Sequence, residues 1–184
     1  MRNAEHVSAV QHLWYGHGHV PDRSDLEFSW KAVKAVAARD GVLSEPERLH
    51  LLGKMCAILT PPDVIEEVMR FDARSEPPER LLARVQVPDE VRPATGAWIV
   101  YEGLSVAMSD GELAGAELNS VRRVAAAMGV RPRTVDELTT LCRDEAALRA
   151  RRIMLLRSTI PPPFRSAQDT GEQGRPAPPI RARP

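Results

Sequence analysis

Hydrophobic residues recur along most of the chain at the spacing of helices, and Pro, Gly and Asp-Gly turns separate the helical stretches. No segment has the alternating pattern, or the density of β-branched residues, that a strand needs. The sequence therefore predicts an all-α fold, a bundle of about seven helices of unequal length. The predicted helices cover residues 26–39, 44–60, 62–69 and 77–85, a stretch that ends at 109, and residues 114–128 and 134–158.

Composition divides the chain into three parts. Residues 1–24 contain Gly16 and Gly18 and four of the five histidines without a sustained period, which is typical of an irregular arm. Residues 25–159 carry the helical pattern. Residues 160–184 contain three consecutive prolines at 161–163 and are rich in Pro, Gly, Gln and Arg, so we expect a disordered tail.

One short motif, D-G-x-L-x-x-x-E, occurs twice along the chain. It covers residues 40–47 and 110–117, and each copy lies between two apolar helical stretches. Internal repetition constrains the architecture before any local assignment. The sequence predicts that a unit of helix, Asp-Gly turn and helix occurs twice.

Helix capping explains part of this motif. Ser44 followed by Glu47 predicts a capping box, in which the two residues satisfy each other's backbone N–H groups. The second copy has Ala114 or Gly115 at the cap position, and neither offers a side-chain acceptor, yet Glu117 keeps its place. Capping is therefore a sufficient account of the first copy and a weak account of the second.

Coordination of a cation by oxygen is the alternative interpretation. An Asp that ends one helix can approach a Glu one turn into the next, and carbonyls freed at the helix end can add ligands. Ca²⁺, Mg²⁺ and Mn²⁺ prefer such oxygen ligands. The turn is not an EF-hand loop, because it lacks the D-x-D-x-D-G series. The candidate ligands are Asp40, Glu47, Asp110 and Glu117.

An all-helical chain with two such turns resembles the tellurite-resistance TerB family over residues 26–158. The resemblance implies an internally duplicated bundle with acidic residues on one side, divalent-metal binding and a role in stress-response complexes with a protein partner. It would make the four acidic residues metal ligands. The arm and the tail depart from the family pattern and leave open a specialised member with a different task. The residues that carry the resemblance are Asp40, Gly41, Leu43, Glu47, Asp110, Gly111, Leu113 and Glu117.

Composition bears on location. The chain is 43% hydrophobic and 27% charged, as in soluble globular proteins, and no apolar run approaches the roughly 18–20 residues of a membrane span. The N-terminus lacks the pattern of a secretory signal, and Cys56 and Cys142 are isolated cysteines within helical patterns. We therefore expect a cytoplasmic protein with no membrane span.

Charge is unevenly distributed. Residues 1–120 carry 12 Lys and Arg against 19 Asp and Glu, whereas residues 121–184 carry 13 against 6. The acidic part contains both motifs, which suits a cation better than a phosphate backbone. Few aromatic residues and no recognisable nucleic-acid module are present, so we expect no nucleic-acid partner.

The N-terminal histidines form a second candidate metal site. His12, His17 and His19 lie beside Asp22 and Asp25, and such a set could bind Zn²⁺ or Cu²⁺. A polar arm also carries these residue types without any site.

The sequence favours a non-catalytic module that binds a divalent cation and a protein partner. A metal-dependent enzyme with a carboxylate-lined site in the bundle is the first alternative, and a structural adaptor without metal is the second. No nucleophile elbow, Walker loop or dinucleotide fingerprint is present. Convergence of the four carboxylates on an open pocket would favour the enzyme, and a shallow acidic face would favour binding.

Overall fold

The computed structural model describes residues 4–15, 21–38, 42–111 and 113–159. These residues form eight α-helices and one short 3₁₀ helix and contain no strand, which confirms the all-α prediction. No helix in these ranges is long and apolar enough to cross a membrane. The helices are α1 Ala4–Tyr15, α2 Arg23–Ala37, α3 Glu45–Ala57, α4 Pro62–Arg70, α5 Pro78–Leu82, α6 Arg92–Ala107, α7 Gly115–Ala127 and α8 Pro132–Ser158, with the 3₁₀ helix at Met108–Asp110.

Local chemistry sets several helix ends. Ser44 caps α3, because its side chain accepts the Glu47 N–H while the Glu47 carboxylate accepts the Ser44 N–H at 2.7 Å. Pro62 begins α4, where the missing N–H has no partner to lose. Gly129 follows α7 with φ of +73°, a conformation that favours glycine. The predicted capping box is thus confirmed.

The predicted irregular arm is wrong for residues 4–15, which form α1. Val10 and Tyr15 pack partly against the core, and Gln11 is buried. The helix is short, and its packing depends on residues far along the chain, such as the Glu102 that accepts a hydrogen bond from Tyr15. Gly16 and Gly18, on which the prediction rested, lie outside the described residues, as does the predicted tail at 160–184.

The chain divides into two compact units, Met1–Ala146 and Ala147–Pro184. In the first unit α2 is the central element, because most of its surface is buried, including Trp30, Val33 and Val36. Buried residues of α6 and α7 complete this core, among them Ile99 and Leu104. Apolar burial of this kind is the main driving force of folding.

Helix α6 packs closely on its neighbours through two glycines. A methyl group at Gly103 would lie 2.9 Å from Val36 Cγ1, and one at Gly96 would overlap the Met128 side chain. Real side-chain carbons do not approach this closely, so only glycine permits the observed spacing.

Lys34 of α2 forms hydrogen bonds to the C-terminal end of α4. Its ammonium donates hydrogen bonds to the backbone carbonyls of Val68, Met69 and Phe71 at 3.1, 2.8 and 2.7 Å. These carbonyls belong to the C-terminal end of α4, where the helix carries partial negative charge. The buried cation therefore caps one helix from another.

The hydrophobic spacing of residues 134–158 predicts apolar contacts along α8. The predicted contact residues are Leu138, Leu141, Leu148, Ile153 and Leu156. The buried face of α8 is Val135, Thr139 and Cys142, spaced four and three residues apart. Leu138 packs partly against the core as expected. The other four predicted contact residues are exposed, so that part of the prediction is wrong. The exposed residues are Leu141, Leu148, Ile153 and Leu156.

Candidate functional site

The first motif is described from Val42 onward, because Asp40 and Gly41 lie outside the described residues. Leu43 packs partly against the core and fixes the chain as it enters α3. Glu47, at the third position of α3, is only 6% exposed. One of its carboxylate oxygens accepts the Ser44 N–H. The structure therefore gives the position of Glu47 but does not describe Asp40.

The second motif joins the 3₁₀ helix to α7. Asp110 ends the 3₁₀ helix, and Gly111 follows with φ of +100°, where a side chain would be strained. Leu113 packs partly against the core, as Leu43 does in the first motif. Glu117 lies at the third position of α7, where its carboxylate accepts the Ala114 N–H at 2.8 Å.

The glutamates of the two motifs make equivalent hydrogen bonds. Each accepts the backbone N–H three residues before it, and this bond forms in the second copy although Ala114 has no side-chain acceptor. Capping therefore accounts for one interaction of Glu117, and the expectation that it explains little of the second copy is wrong. One cap bond leaves each glutamate with further acceptor sites.

Three of the four candidate ligands line a single cavity of about 660 Å³. Glu47 reaches it from α3, Asp110 from the end of the 3₁₀ helix and Glu117 from α7. The remaining described residues that line it carry no charge. They are Ala37, Val42, Ser44, Ala114 and Ala116.

The cavity is acidic even after the two helix ends are counted. Each helix N-terminus is equivalent to roughly +0.5 of an elementary charge. The ends of α3 and α7 therefore offset roughly one of the three carboxylate charges and leave about −2. A divalent cation has the complementary charge.

The described residues do not form a tight metal cage. Among them, no three His, Cys, Asp or Glu side chains come together to hold one ion. Sharing a cavity is a looser relationship than direct ligation, which places Ca²⁺ oxygens about 2.3–2.6 Å from the ion. Glu47, Asp110 and Glu117 therefore share a cavity without forming a direct ligand set among the described residues.

The histidine candidates are not assembled in the described structure. His12 is exposed on α1, and His17 and His19 lie outside the described residues. Asp22 is exposed at the start of α2, whereas Asp25 is buried and accepts the Gln86 N–H at 2.9 Å. Asp25 thus has a structural role that the histidine-site hypothesis did not predict.

A buried ionic cluster that was not predicted from the sequence joins α1, α3 and α6. Glu102 is fully buried, the Tyr15 hydroxyl donates to it at 2.6 Å, and Lys54 lies 3.1 Å from its other oxygen. The Lys54 ammonium also lies 4.7 Å from the ring centre of Tyr101. Burial raises the pKa of Glu102, and Lys54 opposes that shift. A charged residue within the apolar run of α6 was the available indication.

The fold and the cavity together define an all-helical protein with an acidic site between two helix N-termini. A crystal structure described as a tellurite resistance protein from Nostoc punctiforme is similar to it. The two chains are 30% identical with a TM-score of 0.67, and the match covers 85% of this chain and 94% of that one. No family model and no curated protein matches the sequence. The chain belongs to the TerB-like family of tellurite resistance proteins.

Proposed function

We propose that this chain is a TerB-like accessory module that binds a divalent cation in the acidic cavity. The observation that carries the proposal is the position of Glu47, Asp110 and Glu117 around that one cavity. Asp40, the fourth ligand expected from the sequence, lies outside the described residues. A protein partner, a cytoplasmic location and a stress-response role are further parts of the proposal, and family membership supports them.

A partly hydrated ion suits the cavity. Mg²⁺ dehydrates reluctantly and is usually bound through one or two carboxylates with several waters retained. Glu47 and Glu117 each use one acceptor site for a helix cap and keep others for the ion or its waters. We therefore propose modest affinity and little selectivity among Mg²⁺, Mn²⁺ and Ca²⁺.

The same charge argues against direct binding of an oxyanion here. Tellurite is negatively charged, and three carboxylates around one cavity would repel it. Any contribution of this chain to tellurite resistance would then pass through the cation or a partner rather than through tellurite held in this cavity.

Isothermal titration calorimetry with Mg²⁺, Mn²⁺ and Ca²⁺ tests the proposal. The informative variant combines Asp110→Asn with Glu117→Gln, because Gln retains an acceptor for the Ala114 N–H while the charge is lost. The matched control combines Asp89→Asn with Glu90→Gln, which removes two carboxylates from exposed positions that do not line the cavity.

The wild type and the control should bind with similar affinity, and the cavity variant should bind at least about tenfold more weakly, since each tenfold change corresponds to 1.4 kcal/mol. Absence of binding to the wild type would refute the proposal. So would equal affinity of the two double variants.

A metal-dependent enzyme is the second candidate, and the size of the cavity favours it. A volume of about 660 Å³ lies within the range of small-molecule sites and could hold a substrate beside the ion. Cation-dependent hydrolysis of a phosphate ester or diphosphate, lost in Asp110→Asn, would support this reading. Cation binding without turnover would support the module.

A further inference from the structure

A second cavity, of about 380 Å³, lies between α1, α2, the segment after α5 and the start of α6. It shares no described lining residue with the acidic cavity. Its walls are mostly apolar and include Leu26, Val85 and Trp98. Its volume falls within the range of about 300–1,000 Å³ found for small-molecule sites.

Three buried polar residues face this apolar space. Gln11, Asp25 and Ser29 are 4%, 7% and 3% exposed, and all three line the cavity. Asp25 and Ser29 are four residues apart on α2, so they lie on the same face of the helix. A few polar groups within apolar walls are typical of a site that orients a ligand.

Asp25 has little compensation for its charge. One of its oxygens accepts the Gln86 N–H at 2.9 Å. Among the described residues no Lys, Arg or His forms an ion pair with it, and it is the only charged residue in the described lining. The N-terminus of α2 supplies only roughly half a charge. Buried carboxylates are ordinarily paired with a cation.

We propose that this cavity binds a small organic cation, a protonated amine on an aliphatic or aromatic body. The ammonium lies against Asp25, and its three N–H donors also match the Ser29 hydroxyl and the Gln11 amide oxygen. The body lies against Val91, the residue that precedes α6, and against Trp98 of α6. A carboxylate on the same body would be repelled.

Asp25 also has a structural role that must be separated from binding. Its hydrogen bond to Gln86 holds the segment after α5 against α2. Asp25→Asn keeps an oxygen that can accept this bond and removes only the charge. If Asp25 served only to accept the Gln86 N–H, the cavity would show no preference for a cation.

Calorimetry with three matched probes tests the proposal. The probes are tryptamine, the uncharged alcohol tryptophol and the anion indolepropionate, which share an indole body. Asp25→Asn removes the charge, and Ala94→Trp fills the cavity from an exposed position on its rim. Ala126→Trp, exposed on α7 and absent from the described lining, is the control for the added indole. Thermal unfolding establishes that each variant is folded.

Tryptamine should bind the wild type and Ala126→Trp saturably and at least about tenfold more tightly than tryptophol, as expected for a charge-assisted hydrogen bond. Indolepropionate should not bind. Asp25→Asn should lose the preference for the amine, and Ala94→Trp should lose binding of both. No tryptamine binding to the wild type, or the same amine preference in Asp25→Asn, would overturn the proposal. Neither result bears on cation binding in the acidic cavity.

Discussion

The Tyr15 hydroxyl donates a 2.6 Å hydrogen bond to the Glu102 carboxylate across 87 positions of sequence. This bond joins α1 to the centre of α6, where Glu102 is fully buried. Lys54 supplies the opposite charge from α3 at 3.1 Å. The cluster therefore ties three helices to one buried carboxylate.

Tyr15→Phe should destabilise the domain by about 1.5–3 kcal/mol, because it removes a hydrogen bond to a charged group that water cannot easily replace. Urea unfolding at neutral pH measures the change. Tyr101→Phe is the control, since it removes an equivalent bond to the exposed Glu145 and should cost about 1 kcal/mol or less. If both variants lost the same free energy of unfolding, the buried Tyr15–Glu102 bond would contribute no more than the exposed Tyr101–Glu145 bond.

The pH dependence of stability should change in Glu102→Gln. Burial raises the pKa of Glu102 in the folded state, so the folded protein binds more protons than the unfolded chain just above the ordinary carboxyl pKa. The stabilisation that comes from this proton uptake is fully present below the pKa that Glu102 has in the unfolded chain. It is lost as pH rises through the pKa that Glu102 has in the folded protein. Gln cannot titrate.

The stability of Glu102→Gln relative to the wild type should therefore rise with pH across this window. Urea unfolding of both proteins from about pH 4 to pH 8 gives the difference directly. A difference in free energy of unfolding that is the same at every pH would reflect the lost ion pair with Lys54. The change of this difference with pH is therefore the quantity that tests the raised pKa of Glu102. A difference that falls with rising pH would contradict the account.

Ser44→Ala should lower the free energy of unfolding by about 0.5–2 kcal/mol, because α3 loses its side-chain cap. Ala114→Ser adds a cap acceptor before α7 and should be neutral or stabilising. Thermal unfolding of the two variants tests both statements. A negligible effect at Ser44 would show that its cap contributes nothing measurable.

Gly103→Ala should destabilise the domain by about 1–3 kcal/mol, because the added methyl group would meet Val36 in a filled interface. Gly53→Ala is the matched control on α3, where nothing lies within 4 Å of the added carbon. That variant should gain up to about 1 kcal/mol from helix propensity. Stabilisation by both substitutions would show that α2 and α6 separate easily.

Local chemistry made much of this fold predictable. Ser44, Pro62 and Gly129 set helix ends through caps, a missing N–H and backbone conformation, and each acts within a few residues. The cap by Glu47 was predictable in the same way, whereas the cap by Glu117 was underestimated because Ala114 has no side-chain acceptor. The predictions for Ser44, Pro62 and Glu47 agree with the structure, as do the family and the fold class.

Long-range partners could not be predicted in the same way. Tyr15, Lys54 and Glu102 belong to three separate helices, so the sequence contains no local indication that they meet. The cavity beside Asp25 likewise requires α1, α2 and α6 to be assembled first. For the acidic cavity, the repeated spacing of Glu47 and Glu117 supplied the indication that these long-range contacts lack.

Manganese titration of the ¹⁵N-labelled protein tests the central claim most directly. Mn²⁺ broadens nearby amide resonances even when water lies between it and the protein. We expect selective broadening at Ser44, Gly111 and Ala114, reversed by excess Mg²⁺ and greatly reduced in the double variant Asp110→Asn, Glu117→Gln. Broadening spread evenly over acidic surfaces, or unchanged in that variant, would contradict cation binding between α3 and α7.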